Sequence, residues 1–301
     1  MVIANPIYDV VFKRLMENNR IAKFFIGTLL EQTIESVEVK PQEFTYTDTK
    51  FTGISVFRLD FLATIKTDTG ELKKVLIEIQ KAKNQVDLMP FRNYLGEQYK
   101  KEDIVADEKV VLPITTIYIL GFNLSEIHTP CLKIDRNYHD LVNKQIITVK
   151  SEFVEKLTHD CYIVQVERIT DKYQTRLDKL LSVFQQKYFI EDSKVIKEFK
   201  HNTDLEEVKI ITDILHHAGT DPAERKEIEI EQEAWRTHYA MFENVLKELN
   251  ESKKALTEKD LAITQKDLAL SEKDLALKQK DIDLAEMKKE LEALKRKRDE
   301  K

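Results

Sequence analysis

Lys-Asp-Leu-Ala recurs at Lys259, Lys266 and Lys273, and Lys280-Asp281-Ile282-Asp283 is a looser fourth copy. A seven-residue period held over several heptads is the pattern of a coiled coil, because it keeps one helix face on a partner. Residues 250–301 contain neither Pro nor Gly, so nothing local interrupts one long helix. Leu249, Leu256, Ile263, Leu270, Leu277, Leu284 and Leu291 fill one heptad position. Val245 leads into the second seam position, and Met287 and Leu294 fill it near the end. In the middle that position holds Lys259, Lys266, Lys273 and Lys280. A further stripe, Leu261, Leu268, Leu275 and Ile282, lies about 200° around the helix at ~100° per residue. The middle is therefore no clean two-stranded seam. Dimer, trimer and antiparallel hairpin all stay open. A homo-oligomer joined through this helix is the expectation, and a bare solvated helix is the alternative.

Charged residues make up 34% of the 301-residue chain, above the usual quarter, and the excess sits in the tail. The 42% hydrophobic content is enough for a real core. A formal net charge of −6 argues against a sequence-wide electrostatic grip on nucleic acid. The basic run Lys295-Arg296-Lys297-Arg298 suits the negative end of a helix dipole better than it suits a nucleic-acid patch. Cys131 and Cys161 give neither a CxxC spacing nor a disulfide framework. Met1 to Pro6 lacks the basic segment and apolar run of a secretory signal. No stretch approaches the ~18 apolar residues of a membrane span. A cytoplasmic protein with no membrane partner is the expectation.

Two strand-like segments carry the chemistry. Val56 to Leu62 and Val75 to Gln80 are rich in β-branched and aromatic residues, and Lys66 to Glu71 between them is a polar turn with Gly. A hairpin centred on Thr69 pairs residues whose numbers sum to 138. Asp60 and Glu78 then face each other, with Cβ atoms roughly 5 Å apart. Like charges so placed destabilise a sheet, and a hard divalent cation between them removes the repulsion. Alternation puts Phe57, Leu59, Phe61, Ala63 and Ile65 on one face and Arg58, Asp60, Leu62 and Thr64 on the other. On the second strand Ile77 and Ile79 oppose Glu78 and Gln80. The plain alternative is the solvent-facing polar side of an ordinary hairpin.

These residues resemble a known family. Asp60 followed by Glu78-Ile79-Gln80 is similar to the D…ExQ variant of the PD-(D/E)XK nucleases, closest to the transposase-associated, recombination-promoting branch. Asp9-Val10-Val11-Phe12-Lys13 resembles that branch's opening motif. Phe91-Arg92-Asn93-Tyr94 resembles its Arg/Tyr helix, and Pro113 to Leu120 its later core strand. The resemblance covers residues 1–125 well and extends loosely to about 240. It implies a metal-dependent DNA endonuclease associated with recombination or mobile elements. Asp60, Glu78 and the Ile79 carbonyl would hold Mg²⁺, with Mn²⁺ as a substitute. Asp60, Glu78 and Gln80 would be catalytic, and Asp9, Lys13, Arg92 and Tyr94 would support the site or the DNA. Two departures stand out. Leu59 replaces the superfamily's Pro, and Gln80 replaces its Lys, as is general in this branch. Gln hydrogen-bonds a water but carries no charge. Lys81 and Lys13 are possible stand-ins, and Lys81 is expected on the other face of the strand. A nuclease-like fold that binds DNA or acts as an oligomeric scaffold without cleaving is the competing reading.

The expected architecture is α/β: a restriction-endonuclease-like core, a mixed β-sheet flanked by helices, over 1–125. A mostly helical region over 126–240 completes or flanks it, and the long helix or coiled coil follows over 241–301. Within this plan residues 7–34 read as one helix. Pro90 opens another that runs to about Asp103. Residues 111–121 read as a strand, with short extended pieces near 130–134 and 161–167. Residues 174–200 read as an amphipathic helix on the spacing of Leu177, Leu180, Leu181 and Phe184. Gly219, Asp221 and Pro222 read as a helix stop, an N-cap and a fresh start.

Overall fold

The computed structural model describes residues 1–40, 44–48, 53–57, 61–81 and 88–299. Two compact units divide the chain, Met1–Ala234 and Trp235–Lys301. The first unit begins with β1 (Val2–Ala4), α1 (Asp9–Glu17), α2 (Asn19–Leu30) and β2 (Ile34–Val39). A hairpin of β3 (Phe44–Asp48) and β4 (Gly53–Phe57) precedes β5 (Phe61–Thr67), β6 (Leu72–Gln80) and α3 (Leu88–Lys100). Next come a short hairpin of β7 (Asp103–Val105) and β8 (Glu108–Val110), then β9 (Ile114–Leu120) and β10 (Cys131–Ile134). The hairpin β11 (Tyr138–Asp140) and β12 (Gln145–Ile147), α4 (Glu152–Leu157) and β13 (His159–Gln165) follow. The chain then forms α5 (Arg176–Ser182), β14 (Ile196–Glu198), α6 (Glu206–Thr220) and the long α7 (Pro222–Asp299).

The main sheet has six strands in the order β10-β13-β9-β6-β5-β2. It is mixed: β9 runs parallel to both β6 and β13, and the outer pairs are antiparallel. Parallel neighbours need a crossover connection, which α3 supplies between β6 and β9. Both faces of the central strands are covered. Phe61, Ala63, Ile65, Val75, Ile77, Ile79, Ile117 and Ile119 join the large core with α1, α2, α5 and α6. Phe12, Phe25 and Phe184 pack there at tilted or edge angles, with centroids 5.7–6.4 Å apart. Leu62, Leu76 and Ile114 face the other way and meet Phe91 and Tyr94 of α3.

Several expectations change. The single helix over 7–34 is two helices, because Asn18 leaves the helical region and its side chain caps α2, accepting from the Arg20 and Ile21 amides. The helix over 174–200 is only the seven residues of α5, begun by a Thr175–Asp178 capping box. Beyond it the chain turns back so that β14 pairs with β1, and this pairing outweighs the helical spacing of the leucines. Residues 126–240 carry five strands, and β10 and β13 lie in the main sheet. Gly219 lies inside α6 rather than after it. A Cβ there would come within 2.9 Å of the Ala4 amide, so glycine lets α6 close onto β1. Asp221 and Pro222 do restart the chain as read: the Asp221 carboxylate accepts from the Ala223 and Glu224 amides, both at 3.0 Å.

The second unit is the remainder of α7. Its apolar residues from Leu256 to Met287 are all exposed. Among the described residues no helix is long and apolar enough to cross a membrane.

Candidate functional site

The turn after β5 is built by its own residues. The Gly70 amide donates to the Thr67 carbonyl at 2.9 Å, and Gly70 has φ +83, a conformation that favours glycine. The turn sets the hairpin register, and the observed pairs run from Lys66↔Leu72 to Phe61↔Ile77. Each pair sums to 138, the register expected from the sequence. Glu78 is the next residue of β6. Asp60 lies outside the described residues.

Glu78 and Gln80 share the β6 face that carries Lys74 and Leu76, as strand alternation requires. This face is not open to solvent as an ordinary hairpin's polar side would be. α3 lies over it through Phe91, Tyr94 and Gln98, all buried. Gln80 is buried and Glu78 half-buried. The Phe91 and Tyr118 rings pack with centroids 4.6 Å apart. Burial, followed by the Glu78 charge, pushes the Tyr94 phenol well above the usual tyrosine range. Tyr118 shifts the same way, through burial, Cys161 and then Glu78. Both phenols therefore keep their protons at neutral pH. The Tyr94 hydroxyl accepts from the Gln98 amide at 3.1 Å. Toward the far end of β6, buried Lys74 pairs with Asp103 at 2.8 Å and donates to the Gln98 carbonyl near the end of α3. A cation suits that end of a helix.

The other proposed residues are elsewhere. Asp9 and Lys13 lie on α1, whose Val11, Phe12 and Leu15 pack against the opposite face of the sheet. Asp9 pairs with Lys81 at 3.5 Å, and Lys81 also pairs closely with Glu231 and lies over the Tyr8 ring. Lys81 is thus on the α1 side, as expected. Glu231 caps α1, accepting from the Asp9 and Val10 amides at 2.9 and 3.2 Å. Burial raises the Asp9 pKa against the pull of Lys81, and Glu231 adds to the rise. Arg92 is exposed on α3 and makes no ion pair among the described residues. So of the support residues, Tyr94 is brought beside Glu78, while Asp9 and Lys13 join a separate charged cluster. Glu231 was not legible in the sequence, because its partners lie 150 to 222 residues away.

Glu78 offers hard oxygen to a cation, beside two phenols that burial, more than charge, holds protonated. That donor chemistry suits Mg²⁺ rather than a soft metal. Ile79 pairs with Ile119 in the ladder and buries its side chain in the large core. Among the described residues no three His, Cys, Asp or Glu side chains converge as a metal site. Comparisons with family models, curated proteins and solved structures give no match to this chain.

Proposed function

We propose that the chain is a metal-dependent DNA endonuclease with a restriction-endonuclease-like core, hydrolysing phosphodiester bonds. Asp60 and Glu78 hold Mg²⁺ or Mn²⁺ with the Ile79 carbonyl, and Gln80 orients a water. The observation that carries this reading is the hairpin register. Its described pairs sum to 138 and end at Phe61↔Ile77, which agrees with the register from which the sequence leads one to expect Asp60 opposite Glu78. The enclosure of Glu78 beneath α3, beside two protonated phenols, adds support. A metal bound there would polarise a phosphoryl oxygen and acidify a water. Self-association through α7 would join two such units.

One observation favours the second reading, a nuclease-like fold that binds or scaffolds without cutting. Lys81 is committed to Asp9 and Glu231 on the α1 side, so it does not replace the positive charge that Gln80 lacks.

Supercoiled plasmid incubated with the purified protein in Mg²⁺, Mn²⁺ or EDTA decides between them. The expected result is metal-dependent nicking or linearisation that Asp60→Ala and Glu78→Ala both abolish. Their folds are expected to persist, because each substitution relieves carboxylate repulsion in the metal-free protein. Unfolding of either variant would make the acidic pair structural. Cleavage equal in wild type and variants would remove the hairpin from the chemistry.

A further inference from the structure

The unit Trp235–Lys301 presents a row of exposed apolar residues at successive heptads: Leu256, Ile263, Leu270, Leu277 and Leu284, each 49–62% exposed. Three residues after each of the first four comes Lys259, Lys266, Lys273 or Lys280. Four residues after comes Asp260, Asp267, Asp274 or Asp281. At ~100° per residue these positions flank the apolar row, the lysines about 60° to one side and the aspartates about 40° to the other. The repeated Lys-Asp dipeptide therefore straddles the row at every turn of the repeat.

Over the first heptads the helix does not satisfy these charges itself, whereas Asp274 and Asp281 have Lys278, and Lys280 has Asp283, within three or four residues. Side chains on a helix meet at spacings of three and four. From Lys259, Lys266 and Lys273 those positions hold only Ala, Leu and Ile. From Asp260 and Asp267 they hold only Leu, Ile, Thr and Ser. Among the described residues none of the five makes an ion pair.

Symmetry then selects an orientation. A two-fold axis along paired helices sets the lysine row of each copy beside the aspartate row of the other, on both flanks. A two-fold axis across antiparallel helices sets lysine against lysine and aspartate against aspartate. The second apolar row, Leu261, Leu268, Leu275 and Ile282, gives no such choice. It is flanked by Thr257, Thr264, Ser271 and Lys278 on one side and by Glu258, Gln265, Glu272 and Gln279 on the other. We propose that α7 pairs with a second copy of this chain, parallel and in register, along the Leu256–Leu284 row. Each Lys of the repeat meets the Asp of the same dipeptide in the other copy, Lys266 beside Asp267 for example. The proposal deepens the self-association reading and does not depend on cleavage.

The test uses full-length protein. Leu256→Cys and Leu284→Cys, prepared separately, are each expected to form an interchain disulfide under mild oxidation, with the parent chain as control for Cys131 and Cys161. A disulfide that forms only when the two variants are mixed would mean antiparallel pairing, overturning the orientation but not self-association. A parent chain that sediments as a monomer at tens of micromolar would overturn both. The triple variant Lys259→Glu, Lys266→Glu, Lys273→Glu is expected to raise the dissociation constant by roughly ten- to a hundredfold, as six weak ion pairs become repulsions. The melting of the Met1–Ala234 unit should stay unchanged. An unchanged dissociation constant would remove the charge ladder.

Discussion

Lys81 is half-buried and Lys197 buried, and the two are held in different ways. Lys81 sits between two carboxylates, Glu231 and Asp9, and ties them together. Lys81→Met should cost about 3 kcal/mol, because it leaves two partly buried acids without their cation. Asp9→Asn should leave stability unchanged or raise it. Burial and Glu231 lift the Asp9 pKa in the folded state despite Lys81, so the folded chain binds that proton more tightly. Its stabilising contribution is complete at low pH and is lost as pH rises through the raised value. Urea melts at pH 7 check both. A loss in Asp9→Asn as large as that in Lys81→Met would show that the ion pair outweighs the burial. Lys197 is almost fully buried and donates to the Val183 and Gln185 carbonyls. Burial pulls its pKa down from 10.5 to about 7. Between those values the unfolded chain binds more protons, so stability should rise with pH across that window. The slope is at most about 1.4 kcal/mol per pH unit. Melts from pH 7 to 9.5 should show this slope in wild type and a flatter one in Lys197→Met. Equal slopes would mean that Lys197 keeps its ordinary pKa.

Among the elements, those governed by local rules were legible in the sequence and those governed by distant contacts were not. The β5–β6 register followed from the turn and from the alternation of Phe61, Ala63 and Ile65 against Leu62. β9 and the start of α7 followed from a β-branched run and from an Asp-Pro cap. The break at Asn18 was missed because apolar spacing continues on both sides of a side chain that nevertheless caps α2. The strand β14 was missed because its partner β1 is nearly two hundred residues away. At the candidate site the alternation of Glu78 and Gln80 was legible, but the cover was not. Phe91, Tyr94 and Gln98 read as one face of a helix, and no local pattern tells which sheet face that helix will close. The same lack separated Asp9 and Lys13 from Glu78: their motif is contiguous, but α1 packs on the other face.

At the scale of the molecule the chain divides its tasks along α7. Its first turns belong to the compact unit, where Glu224 meets Arg14 and His217, Ile228 is buried in the core and Glu231 caps α1. Its later turns, over residues 247–290, are exposed throughout. A chain ending after Lys247 keeps the first set of contacts and loses the second. Removing solvent-exposed helix seldom changes stability by more than about 0.5 kcal/mol, so the thermal midpoint should move by less than about 2 °C. Self-association should be lost. If cleavage proceeds at two joined sites, tethering gives the second cut a high effective concentration. Full-length protein should then produce linear plasmid early, while the shortened chain accumulates nicked circles first. The ratio of linear to nicked product at equal substrate consumption measures this. An equal ratio in a shortened chain that sediments as a monomer would show that each unit cuts both strands without α7. Pairing through the long helix would then serve something other than joining the two cuts.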